Sequence, residues 1–203
     1  AKKCLASWKK YAPDWEIREW DLSCLSNPPS FFRSAVTAKK WAVAADWVRF
    51  AALREHGGVY FDFDFELVKP IAELPAGEWC AGQWMPSGRV GLEPAAIALE
   101  KDSPIARAML AYYDQAEFGD KLTVGEILGE IAESPQCRIA GLKVLAPEVL
   151  SPLGIDGKLH RTEDTIGIHW YAMSWASPRR KIAKWLSWHG LRPLVDLALK
   201  LKR

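Results

Sequence analysis

Apolar and polar positions along the 203-residue chain change period several times, and each change predicts an element. In residues 1–10, Leu5 and Trp8 share one face among lysines, the pattern of a short amphipathic helix. After Pro13-Asp14, the run Trp15-Glu16-Ile17-Arg18-Glu19-Trp20 alternates apolar and charged, as a half-buried strand does. Asn27-Pro28-Pro29-Ser30 is a loop signal. From Ala35 to Glu55, Trp41, Ala45, Val48, Ala52 and Val43, Trp47, Phe50 recur at helical spacing. That stretch is apolar nearly all round and so predicts a buried helix, stopped by Gly57-Gly58 with His56 in its last turn.

The next ten residues, Val59 to Val68, are aromatic, β-branched and acidic by turns and predict one strand, ended by Pro70. A second strand is expected at Glu78–Trp84, followed by a turn at Pro86-Ser87-Gly88. Helical patterns follow at about 94–100, 104–117 and 123–133. A strand near Gly141–Leu145, a Pro- and Gly-rich loop to Gly157 and an apolar stretch at Thr165–Tyr171 complete the domain. Strands and helices alternating at this pitch predict a layered α/β fold over 1–176, with a basic amphipathic helical tail over 177–203.

Composition narrows the classes. The chain is 49% hydrophobic and 26% charged, which is globular, and no run approaches the ~20 apolar residues of a membrane span. No apolar signal-peptide core opens it, so a cytoplasmic location is the expectation. A net charge of +2 argues against a nucleic-acid partner bound through bulk charge, yet it conceals an asymmetry. Pro178–Arg203 holds eight basic residues and one acid, +7, and leaves the body at −5. Ile182, Trp185, Leu186, Leu191, Leu194, Leu197, Ala198 and Leu201 lie at helical spacing between those charges. Such a tail either packs on the domain or rests on an anionic membrane, with Trp185 and Trp188 at headgroup level. Cys4, Cys24, Cys80 and Cys137 are too irregularly spaced for a zinc site and read as reduced thiols.

The chemistry gathers between Asp46 and Asp64. On one continuous strand, Asp62 and Asp64 would project to the same side while Phe61, Phe63 and Phe65 turned into the core. Two adjacent carboxylates repel unless a cation lies between them, and a hard divalent ion such as Mn²⁺ or Mg²⁺ answers that need. A bare Asp-x-Asp is common on solvated strands. Asp46 and Arg49 sharpen the reading because they share one face of an otherwise apolar helix, where charges rarely persist for stability alone.

The set Asp46-x-x-Arg49 followed by Gly57-Gly58-Val59-Tyr60-x-Asp62-x-Asp64 resembles the signature of glycosyltransferase family 32, the DxD-containing sugar transferases. It is more distantly similar to the glucosylating domain of large clostridial toxins. Ser7-Trp8-Lys9-Lys10-Tyr11-x-Pro13-x-Trp15-Glu16-Ile17 and His169-Trp170-Tyr171-Ala172-Met173-Ser174-Trp175 resemble the family's opening and closing elements. The resemblance implies a GT-A-like fold, a mainly parallel sheet between helices. The resemblance places an apolar strand and a base-cradling loop before the helix at which this sequence opens.

For function, the resemblance implies retaining transfer from a nucleotide-sugar donor to a saccharide or lipid-linked acceptor. Asp64, Asp62 and His169 would hold Mn²⁺ or Mg²⁺, with Asp62 and Asp64 as the catalytic pair. Asp46, Arg49, Gly58, Asp62, Ser174 and Trp175 would bind the donor. Among the eleven tryptophans, Trp41 and Trp47 fall at core spacing, whereas Trp79, Trp84 and Trp170 fall near strand ends where a sugar could stack. A carbohydrate-binding relic on a degenerate transferase fold and a metal-dependent phosphohydrolase are the rival readings. The second would want more acids or histidines at its site.

Overall fold

A computed structural model describes residues 2–172, apart from 26, 120–121, 139–140 and 155–156, together with Ile182. The basic tail (Ile182 apart), Ser174 and Trp175 therefore lie outside the described residues. Seven α-helices and six strands are described, besides two single-turn 3-10 helices. Helices α1 (Lys2–Tyr11), α2 (Ser30–Thr37) and α3 (Trp41–His56) lead to strands β1 (Gly58–Phe61) and β2 (Phe65–Leu67). Then come β3 (Trp79–Trp84), β4 (Val90–Leu99), α4 (Pro104–Gln115), α5 (Val124–Ala132) and α6 (Pro135–Arg138). Strand β5 (Lys143–Leu145), helix α7 (Pro147–Leu150) and β6 (Gly167–His169) close the order.

The main sheet runs β1-β4-β3-β5, and β2 pairs with β6 in a separate antiparallel ribbon. Because β4 is antiparallel to both β1 and β3 while β3 and β5 are parallel, three of the four strands share a direction. The sheet is mixed, parallel-containing and flanked by helices, as the α/β reading expects. Alternation along its strands splits the core in two. Cys80, Ile97 and Leu99 face Phe31, Phe32, Trp47, Phe50, Met109 and Leu128 of the helical layer α2–α5. Trp79, Ala81, Ala96 and Ala98 face Phe65, Leu67, Leu150 and Ile166, with Trp8 and Tyr11 of α1 closing that side.

Four expectations change. The helix from Ala35 to Glu55 is two helices, broken at Ala38-Lys39-Lys40, where Lys39 takes φ = 55°. Trp47 is buried but Trp41, at the new N-terminus, is 53% exposed. Residues 15–20 are unpaired and mostly exposed rather than a strand, since alternation specifies a strand only where a neighbour takes its hydrogen bonds. Residues 94–99 of the helical pattern at 94–100 belong to β4. Its alanines suit a helix, but as a central strand they let both layers approach closely, and tertiary burial overrides propensity.

The fourth change matters most for function: the Val59–Val68 strand is interrupted. Residues 62–64 form a turn, closed by Phe65 N–H donating to the Asp62 carbonyl at 2.9 Å. Phe61 and Phe65 stack across it with centroids 4.5 Å apart, and Phe63, expected in the core, is 58% exposed at its tip. Other boundaries hold. Gly57 caps α3 at φ = 67°, and α5 opens on a capping box in which Thr123 and Glu126 bond reciprocally. No helix among the described residues is long and apolar enough to cross a membrane.

Candidate active site

The turn at 62–64 sends its two acids to different neighbours. Asp62 ends β1 on the face of Tyr60, toward α3, while Asp64 leads into the β2–β6 ribbon. Their convergence therefore comes from the turn rather than from a shared strand face. One ligand atom from each of Asp62, Asp64 and His169 lies within 4.8 Å of the others.

On the α3 side, Arg49 organises the charges. Its guanidinium bonds Asp46 Oδ1 at 3.0 Å, Asp62 Oδ1 at 3.4 Å and the Pro94 carbonyl at 2.8 Å. The Tyr60 ring lies 4.9 Å from it, and the Tyr60 hydroxyl donates to Asp62 Oδ1 at 2.8 Å. Pro94 is available because β4 bulges there. Cys80 pairs with Ile97 but the next residue, Ala81, pairs with Glu93, so Pro94–Ala96 have no partner on β3. A proline fits such a bulge, and bulges beside functional sites re-aim side chains. Here the bulge offers the Pro94 carbonyl to Arg49 and the Ala95 carbonyl to the Asp62 N–H at 2.8 Å.

On the ribbon side, β6 pairs His169 with Phe65. His169 Nε2 lies 3.2 Å from Asp64 Oδ1, and Asp64 Oδ2 accepts from Ala172 N–H at 2.7 Å. The Tyr171 ring covers the imidazole at 3.9 Å between centroids. Glu93 Oε2 stands 3.9 Å from His169 Nδ1.

Burial and charge work against each other at Asp46, Arg49, Asp64 and His169. Burial pushes Asp46 up to about 7, with Asp62 and Glu93 adding repulsion against the opposing pull of Arg49. For Arg49, burial favours deprotonation but Asp62, Tyr60, Asp46 and Glu93 outweigh it, and the guanidinium stays charged. Burial also pulls Asp64 upward, yet the bond and charge of His169 and the Ala172 N–H hold it below the usual carboxylate range. Burial likewise opposes protonation of His169; Asp64 and Glu93 prevail and raise it.

Asp46, Arg49, Asp62, Asp64 and His169 are thus one cluster. Gly58 is not part of it, since it begins β1 four residues from Asp62, about 13 Å away along an extended strand. Arg49, its side chain only 5% exposed, spends its terminal nitrogens on acceptors within the protein, while its Nε is buried without a partner. Trp79 is core, Trp84 is part-exposed at the end of β3, and the Trp170 indole donates to Glu66 Oε2 at 2.8 Å. The residue the sequence reading passed over is Glu93. It stands just ahead of the run at 94–100 that read as a helix, so nothing set it beside His169; only the bulge and the pairing of β4 with β1 and β3 do.

Two carboxylates and an imidazole at this separation suit a divalent ion such as Mn²⁺, which takes oxygen and imidazole ligands. Comparison with curated proteins finds no relative. Among solved structures, the chain is similar to one described as "PaToxG Glycosyltransferase", at 24% identity and a TM-score of 0.44, covering 57% of this chain and 44% of that one. It spans less than half of that structure's length. Residues 1–81 match the family model of the glycosyltransferase sugar-binding region containing the DXD motif. That match spans the segment from α1 into β3, which holds Asp46, Arg49, Asp62 and Asp64.

Proposed function

We propose that the chain carries the donor site of a metal-dependent glycosyltransferase, moving a sugar from a nucleoside-diphosphate sugar to a saccharide or lipid-linked acceptor. The observation that carries this is the convergence of His169 on Asp62 and Asp64, the two acids within the segment that resembles a glycosyltransferase DXD region. Asp64 and His169 Nε2 hold a divalent cation, with Asp62 as the third ligand or the partner of the donor ribose. When bound, Mn²⁺ or Mg²⁺ supplies Lewis-acid neutralisation of the departing diphosphate.

The remaining residues position these three. Arg49 and Tyr60 fix Asp62 at the end of β1, and Asp46 balances the charge of Arg49. The Ala172 N–H orients Asp64. The Tyr171 ring walls off one side of the imidazole. Phe63, exposed at the turn between the two acids, offers an apolar platform at the mouth of the site. Ser174 and Trp175 close over the donor by family resemblance, and the same resemblance makes the transfer retaining. The +7 tail supports an acceptor at an anionic membrane surface, which sedimentation with vesicles of graded anionic lipid content tests.

Incubation with a panel of nucleotide sugars and Mn²⁺ separates the readings. Release of nucleoside diphosphate, abolished in Asp64→Asn, is expected. Release of inorganic phosphate would favour a phosphohydrolase. Donor binding without turnover would favour a carbohydrate-binding relic.

A further inference from the structure

A histidine can ligate a metal through Nε2 only if that nitrogen is bare, so the neutral ring must keep its proton on Nδ1. In water the other tautomer dominates, and a ligating histidine therefore needs an acceptor for Nδ1–H. In this structure Nδ1 of His169 is buried and has no hydrogen-bond partner. The group that faces it is Glu93, whose Oε2 stands 3.9 Å away. The other oxygen of Glu93 accepts from the Ala95 N–H at 3.3 Å, within the bulge of β4, which fixes where the carboxylate lies. Its side chain is 14% exposed, so little water competes for it. A movement of about 1 Å brings the pair to hydrogen-bond distance.

We propose that Glu93 is the positioning residue of the site. It holds the Nδ1 proton of His169, so that Nε2 is presented bare to the cation at Asp62 and Asp64. This rests on the metal-dependent reading above and extends it to a residue outside residues 1–81, the segment that the DXD-region model matches. Carboxylates placed behind ligating histidines raise metal affinity by roughly 10–100-fold.

The test uses the full chain and Mn²⁺ alone. Binding is measured by calorimetry or electron paramagnetic resonance in wild type, Glu93→Gln, Glu93→Leu, His169→Gln and the His169→Gln/Glu93→Leu double variant. Glu93→Leu is expected to weaken Mn²⁺ binding about 10–100-fold and the isosteric Glu93→Gln by less. The double variant should bind no worse than His169→Gln, because Glu93 acts through the ring. Equal losses from Glu93→Leu in both backgrounds, or wild-type affinity in Glu93→Leu, would overturn the proposal.

A second readout is the ¹⁵N spectrum of the His169 ring in metal-free Asp64→Ala protein, at a pH where it is neutral, because in wild type without metal the Asp64 carboxylate 3.2 Å away competes for a proton on Nε2. The Nδ1–H tautomer should dominate in Asp64→Ala and recede when Glu93→Gln is added, a change that a purely structural role would not produce. A ring protonated on Nε2 in Asp64→Ala refutes the assignment. Wild-type protein that takes up no Mn²⁺ defeats the metal reading instead, while the tautomer still reports whether Glu93 governs His169.

Discussion

Arg49 is the residue on which the geometry of Asp62 depends. A buried guanidinium satisfying two carboxylates and a carbonyl is costly to remove, because the acids remain behind without a counter-charge. Arg49→Met is expected to destabilise the protein by about 3–5 kcal/mol in urea denaturation. Arg49→Lys should lose less, since it keeps the charge but not the fork that reaches three acceptors. Asp46 gives this cluster a pH dependence. Its carboxyl is raised from 3.8 to about 7 in the folded state, so folded protein binds the proton more tightly than unfolded protein does. The contribution of Asp46 to stability is therefore complete below about pH 4 and is lost as the pH rises through about 7. In metal-free protein the urea midpoint should fall across that window, and Asp46→Asn should flatten the fall. An equally steep profile in the variant would place the proton elsewhere.

At the scale of elements, the junction of α3 and β1 turns on two adjacent glycines with different constraints. Gly57 has φ = 67°, and a Cβ there would lie 2.6 Å from the Lys101 backbone nitrogen. Gly58 has φ = 96° but open space around it. Gly57→Ala should cost more than the ~1–3 kcal/mol of backbone strain, and Gly58→Ala no more than that strain. Denaturation midpoints for the pair check the order, and a reversed order would show that space is not what distinguishes them. The same junction shows what the sequence made legible. The end of α3, the glycine stop and the start of β1 could all be placed from residue type. The break at Lys39 and the turn at Asp62–Asp64 could not. The aromatic run continues through the turn without a Gly or Pro to mark it, because the stack of Phe61 on Phe65 takes the place of a turn residue.

In the whole molecule, the candidate site lies where the main sheet meets the β2–β6 ribbon, and α1 ties the ribbon down. Trp8 donates its indole N–H to the Phe65 carbonyl at 2.8 Å, and Ser7 Oγ accepts from the Leu67 N–H at 2.9 Å. Ser7→Ala leaves that buried N–H unpaired and should cost about 1–3 kcal/mol. Since the ribbon carries His169 and adjoins Asp64, Mn²⁺ affinity should fall as well. A variant that loses stability but keeps full affinity would show that the ribbon holds its shape without α1.

From the sequence alone came the α/β alternation, most element positions and the resemblance resting on Asp46, Arg49, Asp62 and Asp64. These depend on local periodicity and residue chemistry, which a linear pattern carries. Tertiary structure alone decided that 94–99 is a central strand, that Asp62 and Asp64 meet through a turn, that Gly58 stands apart, and that Glu93 faces His169. Each of those depends on which segments become neighbours, and an alanine-rich run or an isolated glutamate has no partner until the sheet closes around it.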